Sequence, residues 1–580
     1  MRICVYGLLM VILVLTGSCE ENQPRDQHRP NVIIVITDDQ GYGDIGFHGN
    51  PHIQTPTLDA FASESIRFTN FYVSPVCAPT RSSLMTGRYS LRTGVRDTYN
   101  GGAIMATSEV TIAELLKDAG YVTGIFGKWH LGDNYPSRAM DQGFDESVVH
   151  LSGGMGQVGD FTTYYERDSS YFNPILWNNG QQTKYTGYCS DIFANEAINF
   201  IRENHNQPFF CYLSFNAPHT PLQVPDEYYQ KYADLDPSAG FDELRGMSES
   251  HKEAARRVYG MVTNIDDNMS KLLGLLKELN IVENTLVIFM TDNGPQQVRF
   301  NGGMKGRKGS VYRGGVRVPF YLRYPAGFSG NQDIDFSSAH IDVLPTVAGI
   351  VGLDVPKDRI IDGVDLTLII EEQKEIKRDL FFYWTRKYPE LYNNIALQTD
   401  KYRFVGMTDY DAELKDFELH EIERDPGERE NVIEANIQLA GQMKQRLDSI
   451  YYELIQSENI KNQPPIIIGS ENEPVTFLNR NDASGQRGIW NQEILEGQWI
   501  VEIEEGWYNF RFNFVRPITG DGKMILETNT INQKHTPNGE RDFVEMNDVF
   551  IPEFKGAMIP RYYVDGKGYF PFLVEIKKIR

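Results

Sequence analysis

The chain has 580 residues, of which 41% are apolar and 23% charged, and its formal net charge at pH 7 is −23. This length predicts about two to four folded units, and the globular composition argues against a low-complexity chain. The negative charge argues against a nucleic-acid partner, which needs a basic face, and it requires any anion site to be locally basic.

The N-terminus reads as a targeting segment. The apolar stretch 3–15 is too short for a membrane span and ends in Leu-Thr-Gly-Ser before Cys19. We predict a signal peptide of the lipoprotein type over residues 1–19, with lipidated Cys19 attaching a polar tether (20–30) to the membrane. Ordinary cleavage nearby is the alternative, because Thr16 stands where such motifs usually have leucine. Either way we expect an exported protein, in the periplasm or as an outer-membrane or cell-surface lipoprotein.

The next region alternates apolar runs of strand length with helical patterns. The runs cover residues 32–36, 121–126, 209–215 and 285–290. The helical patterns cover residues 108–116, with Ser108 as the cap, and residues 254–279. This alternation predicts an α/β domain over residues 31–375, with a large mixed, mostly parallel sheet sandwiched by helices.

Polar residues follow each of the four apolar runs. They are Asp38-Asp39, Lys128-Trp129-His130, Pro218-His219 and Asp292-Asn293-Gly294. The carboxyl ends of parallel strands are where open α/β sheets bind ligands, so we predict one site there, although each group alone is typical of a capped turn. Its oxygen donors suit Ca²⁺ or Mg²⁺ better than zinc.

Beyond about residue 375 the pattern changes to short antiparallel strands. Residues 376–460 predict a small antiparallel α+β subdomain closed by a helix over 433–456, and residues 461–580 predict a linker and a β-sandwich-like all-β module. Most aromatic residues of this module are expected in its core, with one or two as a sugar platform. Cys189 and Cys211 could pair, although a core thiol is the alternative for Cys211.

A lone cysteine, Cys77, stands in the segment SPVCAPTRSSLMTGRY, which predicts a short helix stopped by Gly87. A cysteine at a helix N-terminus lies in positive potential, which suits an anionic ligand or an activated nucleophile. A buried structural cysteine is the alternative. Five basic residues further along predict a local anion funnel or a solvated basic loop: Lys305, Arg307, Lys308, Arg313 and Arg317.

Six segments in the expected order resemble type I (formylglycine-dependent) sulfatases of the alkaline-phosphatase-like superfamily. They are NVIIVITDDQGYGDIGFHGN, SPVCAPTRSSLMTGRY, GIFGKWHLG, NAPHTPLQVP, TDNGPQ and GRKGSVYRGGVRVPF. The resemblance spans about residues 30–460. It implies a sulfuric ester hydrolase in which a maturation enzyme converts Cys77 to formylglycine (3-oxoalanine).

The same resemblance implies roles for individual residues. One Ca²⁺ per subunit is expected on Asp38, Asp39, Asp292 and Asn293, with residue 77 as a further ligand. The expected catalytic residues are Cys77, Arg81, Lys128, His130, His219 and Lys308, with Lys305 as an alternative to the last. Where the family usually has a glutamate before paired glycines this chain has Arg313, which puts loop packing or substrate preference in doubt.

The implied reaction begins with attack on sulfur by the hydrate of residue 77, held by Arg81. Calcium, Lys128 and Lys308 spread the developing charge. His219 or Lys308 protonates the departing alcohol, and His130 takes a proton as sulfate leaves.

We expect the substrate to be a sulfated polysaccharide or its oligosaccharides, of the ulvan, carrageenan, fucoidan or glycosaminoglycan class. A phosphatase or phosphonate hydrolase of the same superfamily is one alternative, disfavoured because the chain lacks a histidine-rich set for two zinc ions. A catalytically silent glycan-binding lipoprotein is the other.

Overall fold

The computed structural model of the protein describes residues 29–580 except 167, 372–375, 387, 487, 529–531 and 536–538; of residues 532–535 it describes the backbone only. The predicted signal peptide, Cys19 and most of the predicted tether lie outside the described residues. Within the described part of the chain, no helix is long and apolar enough to span a bilayer.

The central sheet has ten strands and is mixed, as predicted. Five neighbouring strands at its centre, from Thr285–Thr291 to Glu146–His150, are parallel. In spatial order the strands are Gln332–Ile334, Ile66–Phe68, Phe320–Arg323, Thr285–Thr291, Asn31–Thr37, Phe209–Ser214, Val122–Lys128, Glu146–His150, Ile175–Asn178 and Gln181–Lys184.

Helices cover both faces of this sheet, which is why its central strands are continuously apolar. Alternate residues of Asn31–Thr37 enter two different cores: Ile34 belongs to one hydrophobic cluster and Val35 to the other. The helices of this region are Pro56–Glu64, Cys77–Thr86, Ile112–Asp118, Phe161–Tyr164, Cys189–Asn204, Asp226–Tyr229, Glu249–Glu278, Arg313–Val316, Val343–Val351 and Thr367–Ile370.

The structure corrects one predicted helix cap and decides whether two of the cysteines pair. The prediction of Ser108 as a helix cap was wrong. Thr111 caps the helix in a reciprocal pair, because the Glu114 amide donates to Thr111 Oγ1 at 3.0 Å and the Thr111 amide donates to Glu114 Oε2 at 2.8 Å. Cys189 and Cys211 are separate, buried free thiols, so the pairing left open by the sequence does not occur.

The C-terminal third is rich in antiparallel sheet. A four-stranded sheet comprises Leu380–Tyr383, Ile395–Gln398, Tyr402–Gly406 and Glu418–Glu421, and the helix Ile437–Leu454 packs on it. A short helix, Glu458–Lys461, follows, and Phe71–Tyr72 pairs with Ser338–Ala339 in a separate two-stranded sheet. The domain boundaries near residues 375 and 460 stay predictions.

Two further sheets follow and share one hydrophobic core in which Trp499, Tyr508 and Tyr562 are fully buried. One sheet contains Ile466–Ile468, Ser484–Gly485, Gly497–Ile503, Gly522–Glu527, Asn532–His535, Phe554–Val564 and Lys567–Tyr569. The other contains Val475–Asn479, Gly506–Ile518, Arg541–Ile551 and Leu573–Lys578.

A buried carboxylate pair lies where these sheets contact the α/β part. The Asp133 amide donates to Asp482 Oδ2 at 3.1 Å, and Asn479 Nδ2 donates to Asp133 Oδ2 at 2.8 Å. Burial and the neighbouring Asp482 raise the pKa of Asp133, and burial raises the pKa of Asp482 to about 6. If both carboxylates were ionised in this buried contact they would repel each other. Protonation of one of them therefore stabilises the contact between the sheets and the α/β part.

We therefore expect Asp482→Asn to stabilise the protein at neutral pH. An unfolded aspartate titrates near about 4, so raising the pH from about 4 towards 6 ionises the unfolded state first and lowers the stability of the wild type. Thermal unfolding should show a variant Tm about 2–4 °C above wild type at pH 7.5 and a smaller difference at pH 4.5. Asp565→Asn, in an exposed turn of the same module, is the control. An equal shift at both pH values would contradict this account.

Candidate active site

The carboxyl edge of the central sheet collects the polar residues that follow its strands. Asp38 and Asp39 follow Asn31–Thr37, Lys128 ends Val122–Lys128, and Asp292 follows Thr285–Thr291. The intervening strand, Phe209–Ser214, leads to His219. Contacts among these groups and the helix Cys77–Thr86 join all ten predicted site residues into one cluster: Asp38, Asp39, Cys77, Arg81, Lys128, His130, His219, Asp292, Asn293 and Lys308.

The acidic side of the cluster presents oxygen atoms that lack partners. Asp38 Oδ1, Asp39 Oδ2 and Asn293 Oδ1 are buried and accept no hydrogen bond from the described residues. Ligand atoms of Asp38, Cys77 and Asp292 lie within 4.8 Å of one another. Buried polar atoms without partners are costly, and oxygen donors at this density suit a hard divalent cation. The residues present therefore fit a calcium ion.

Two lysines balance the paired carboxylates. Lys128 Nζ lies 2.6 Å from Asp38 Oδ2, and both side chains are fully buried. Lys308 Nζ lies 2.6 Å from Asp39 Oδ1 and keeps 14% of its side chain exposed. Burial is the largest single effect and raises the pKa of Asp39, but the charge of Lys308, the neighbouring His219 and hydrogen bonds from Lys308 and Asn293 together outweigh it, so the pKa is lowered. Burial acts to lower the pKa of Lys308, but Asp39 raises it. Both groups are therefore ionised at neutral pH.

Arg81 connects the helix Cys77–Thr86 to Asp292, one of the carboxylates that would hold a cation. Its Nη2 donates to Asp292 Oδ2 at 2.8 Å, and its Nη1 donates to Ser214 Oγ and to the Lys128 carbonyl oxygen. Arg81 follows Cys77 by one helical turn, so both side chains lie on the same helix face. Burial, followed by the charge of Asp38, raises the pKa of Asp292 to about 6. A cation in the cluster would favour its ionised form.

Cys77 is the first residue of the helix Cys77–Thr86, and Gly87 ends this helix in a left-handed conformation, as predicted. Its Sγ lies 3.6 Å from His130 Nδ1. Burial raises the pKa of the thiol. A reactive cysteine normally has a lowered pKa, so residue 77 is poorly suited to act as a thiolate.

The two histidines are neutral and each is oriented by a backbone carbonyl. His130 Nε2 pairs with the Thr98 carbonyl oxygen at 2.8 Å, and His219 Nδ1 pairs with the Thr220 carbonyl oxygen at 2.7 Å. A carbonyl can only accept, so the proton sits on those nitrogens and the other ring nitrogen can exchange one. Burial lowers both pKa values, that of His219 to about 3. His219 Nε2 lies 3.8 Å from Asp39 Oδ2.

A cleft of about 740 Å³ opens onto this cluster, with Cys77, His130, His219 and Lys308 in its wall. Of the five basic residues predicted to form a funnel, Lys308 alone lines this cleft among the described residues. The other four are not among its lining residues, and their charged groups have partners of their own. Lys305 pairs with Glu418, Arg307 with the Gln296 carbonyl, Arg313 with the carbonyls of Ile422 and Pro426, and Arg317 with the Thr69 carbonyl.

Arg313, which replaces the usual family glutamate, is a buried packing residue. Its backbone amide donates to Glu428 Oε2 at 2.7 Å, and Glu428 also lies 3.3 Å from Arg403. The buried carboxylate of Glu428, from another part of the chain, therefore contacts the loop that contains Arg313. The substitution leaves the Lys308 side chain in the cluster.

Several residues at the site carry no signal in the sequence. The Thr98 carbonyl orients His130, and Arg299, paired with buried Asp44, donates to the Asp39 carbonyl oxygen at 2.7 Å. Ser214 could have been found, because it is a hydroxyl residue next to the carboxyl end of the apolar run 209–215. A backbone carbonyl such as that of Thr98 is independent of residue type.

A mixed, mostly parallel sheet with a buried carboxylate cluster at its carboxyl edge is the arrangement of an alkaline-phosphatase-like hydrolase. The chain belongs to the sulfatase family: the model described as Sulfatase matches residues 30–353, and that described as N-sulphoglucosamine sulphohydrolase, C-terminal, matches residues 307–453. It is a sulfuric ester hydrolase. Both matched ranges end before the last two sheets.

Named relatives agree with this assignment. The chain is 31% identical to N-acetylgalactosamine-6-sulfatase of Homo sapiens over 61% of this chain and 68% of that protein. It is 29% identical to arylsulfatase A of Homo sapiens over 70% of this chain and 83% of that protein. The crystal structure of Ps i-CgsB in complex with k-i-k-neocarrahexaose has a TM-score of 0.64 at 29% identity, covering 74% of this chain and 94% of that one.

The unpartnered oxygens predict that a divalent cation stabilises the fold. Adding millimolar Ca²⁺ to metal-stripped protein should raise Tm by several degrees, because a ligand bound only to the folded state shifts unfolding by mass action. Asp39→Asn should abolish most of this shift, whereas Asp409→Asn, at an exposed position, should retain it. Equal Tm values with chelator and with Ca²⁺, together with no binding heat, would count against the site.

Proposed function

We propose that this sulfatase removes sulfate from a sulfated polysaccharide or its oligosaccharides after a maturation enzyme has converted Cys77 to formylglycine. Candidate substrates are of the ulvan, carrageenan, fucoidan or glycosaminoglycan class. We further propose that it is exported, as a periplasmic protein or surface lipoprotein anchored through Cys19. The observation that carries the catalytic proposal is the single buried cluster that surrounds Cys77 with three cationic groups and a set of unpartnered oxygens.

Asp38, Asp39, Asp292, Asn293 and residue 77 would hold calcium, which supplies Lewis-acid polarisation of oxygen when bound, while formylglycine supplies a hydrated aldehyde as the nucleophile. The protein residues place charge around the sulfate ester. The Lys128 and Lys308 ammonium groups stabilise the charge that develops on the sulfuryl oxygens at the largely buried base of the cleft.

Proton transfer falls to the two histidines. His219 stands in the cleft wall with Nδ1 held by Thr220, so its Nε2 is the nitrogen placed to carry a proton to the departing alcohol oxygen. A bound anion counteracts the lowering of its pKa. His130 Nδ1 faces residue 77 at 3.6 Å and can take a proton from its oxygen when sulfate is released.

The superfamily alternative, a phosphatase with two metal ions, is less well supported. The two groups of side chains that could hold a cation among the described residues share Asp38 and include one histidine, His219, and the ammonium groups of Lys128 and Lys308 already pair with Asp38 and Asp39. Two-metal hydrolases need two adjacent sites about 3.5–4 Å apart. A protein that only bound glycans would not need the buried charges around Cys77.

Three observations support a carbohydrate substrate. The cleft of about 740 Å³ exceeds what one sulfate group needs, and its wall contains Tyr99, Trp384 and Trp490, the type of residue that packs on sugars. One relative is named for a sulfated amino sugar, N-acetylgalactosamine 6-sulfate. A similar structure was solved with the oligosaccharide k-i-k-neocarrahexaose.

Replacing the precursor residue tests the nucleophile. Cys77→Ala and Cys77→Ser should lose more than about 10³-fold in kcat while keeping the wild-type Tm, because removal of a nucleophile abolishes covalent catalysis but leaves the packing nearly unchanged. Mass spectrometry of the peptide with residue 77 should show sulfur replaced by an aldehyde oxygen in wild type made with a maturation enzyme. Cys211→Ala, in a buried strand, is the control for loss of a core thiol. Full activity in Cys77→Ala would refute the mechanism.

The role of His219 is tested by varying the leaving group. His219→Asn should slow hydrolysis of a sugar sulfate by about 10²–10⁴-fold, the usual contribution of a general acid. It should slow 4-nitrophenyl sulfate much less, because nitrophenolate leaves without a proton. An equal loss on both substrates, with a selective loss in Lys308→Gln instead, would assign the proton donor to Lys308.

A further inference from the structure

Beside the reacting cluster, the cleft contains one more cationic side chain, Arg386. It lines the same cleft as Cys77 and Lys308, and 55% of its side chain is exposed. Its guanidinium contacts Thr98 Oγ1 at 3.2 Å and Asp97 Oδ1 at 3.6 Å, both through Nη1. Among the described residues, the Nε and Nη2 groups of Arg386 make no hydrogen bond or ion pair.

Two contacts fix Arg386 close to the catalytic residues. Thr98 contacts Arg386 through its hydroxyl and His130 through its carbonyl oxygen, so one residue joins both groups. Trp384 packs on Gly309, where an added Cβ would approach the indole to 3.0 Å. Gly309 follows Lys308 directly. Arg386 is therefore linked through Thr98 to His130 and through Trp384 to the segment that carries Lys308.

Aromatic rings hold the guanidinium in place. Its central carbon lies 5.2 Å from the Tyr99 ring centroid and 5.0 Å from that of Trp384. Such contacts orient an arginine without using its hydrogen-bond donors. Asp97, which also accepts from Trp384 Nε1 at 3.1 Å, compensates the charge only in part at 3.6 Å. Arg386 is thus preorganised for an anion.

The last sheets of the chain close this end of the cleft. Gly488, Trp490, Asn491 and Gln492 line it, and the Trp490 ring lies edge-on to Tyr99 with centroids 5.6 Å apart. Buried Arg480 anchors this segment by donating to the Gln492 carbonyl at 2.5 Å and to the Phe570 carbonyl at 2.6 Å. The segment lies outside both ranges matched by the family models, so this wall is a feature added to the shared catalytic part.

We propose that Arg386, Tyr99 and Trp490 form a subsite for a second anionic group, carried by the sugar next to the sulfate ester that is hydrolysed. The substrate class is then an oligosaccharide with a carboxylate or another sulfate on that neighbouring unit, and the Trp490 ring packs against the unit. This inference rests on the proposed function. In a chain of net charge −23, a local cation is needed for such a doubly anionic ligand.

The test compares three oligosaccharides that share the target sulfate and differ on the neighbouring sugar, which is neutral, a uronic acid or sulfated. Wild type should have a higher kcat/KM for one or both doubly anionic substrates than for the neutral one, and the better of the two identifies the anion. Arg386→Gln should lower kcat/KM for that substrate by about 10–100-fold, the effect of losing a charge-assisted hydrogen bond. Arg386→Lys should restore part of it.

Binding measurements separate this inference from the proposed function. In a Cys77→Ala background, calorimetry with the preferred substrate should show Kd raised by Arg386→Gln and by Trp490→Ala. Arg202→Gln, an exposed arginine paired with Glu278 away from the cleft, should leave Kd and turnover unchanged. Equal losses on neutral and doubly anionic substrates, or an unchanged Kd, would overturn the subsite. Failure of wild type to hydrolyse any sulfate ester, with binding still dependent on Arg386, would contradict the proposed function alone.

Discussion

Three carboxylates and three cationic side chains must stay ionised together in a nearly dry cluster at the carboxyl edge of the sheet. Each charge is costly to bury alone, and each carboxylate therefore has its own cation: Lys128 for Asp38, Lys308 for Asp39 and Arg81 for Asp292. The balance is formal neutrality. A bound divalent cation would leave a net positive cluster, which is what an anionic sulfate ester needs in a protein that is strongly negative overall.

This balance depends on backbone geometry as much as on side chains. Asp39 and His130 both adopt left-handed conformations, which few residues other than glycine do, and each lies two residues after the end of a central strand. Gly127 has a φ of +120°, and a Cβ there would lie 1.8 Å from the Ser214 carbonyl oxygen. The close approach of these two strands brings Ser214 and Lys128 within reach of Arg81. The parallel sheet is therefore the frame that sets the distances between charges.

The strands that frame the site could be predicted because they are buried on both faces and so are continuously apolar. The short strands Ile66–Phe68 and Ile175–Asn178 could not, because too few residues carry the pattern and pairing to neighbours decides them. Thr111 rather than Ser108 caps its helix because only Thr111 has a glutamate three residues later, a signal the spacing of apolar residues does not contain. The ten predicted site residues come from motifs, and the structure brings them together, but the pairing of four neighbouring basic residues with carbonyls and carboxylates depends on tertiary contacts.

The base and the rim of the cleft differ in how strongly neighbouring groups constrain their residues. The residues around Cys77 are fixed by charge pairing and buried strands, so any substitution there disturbs several partners at once. Arg386 and the segment 488–492 meet the cleft at its rim, where Arg386 is half exposed and Trp490 can change without unpairing a buried charge. Selectivity for the sugar can therefore vary at the rim while sulfate chemistry is kept at the base. The C-terminal sheets, held to the α/β part through Asp133, Asn479 and Asp482, place their loop at that rim.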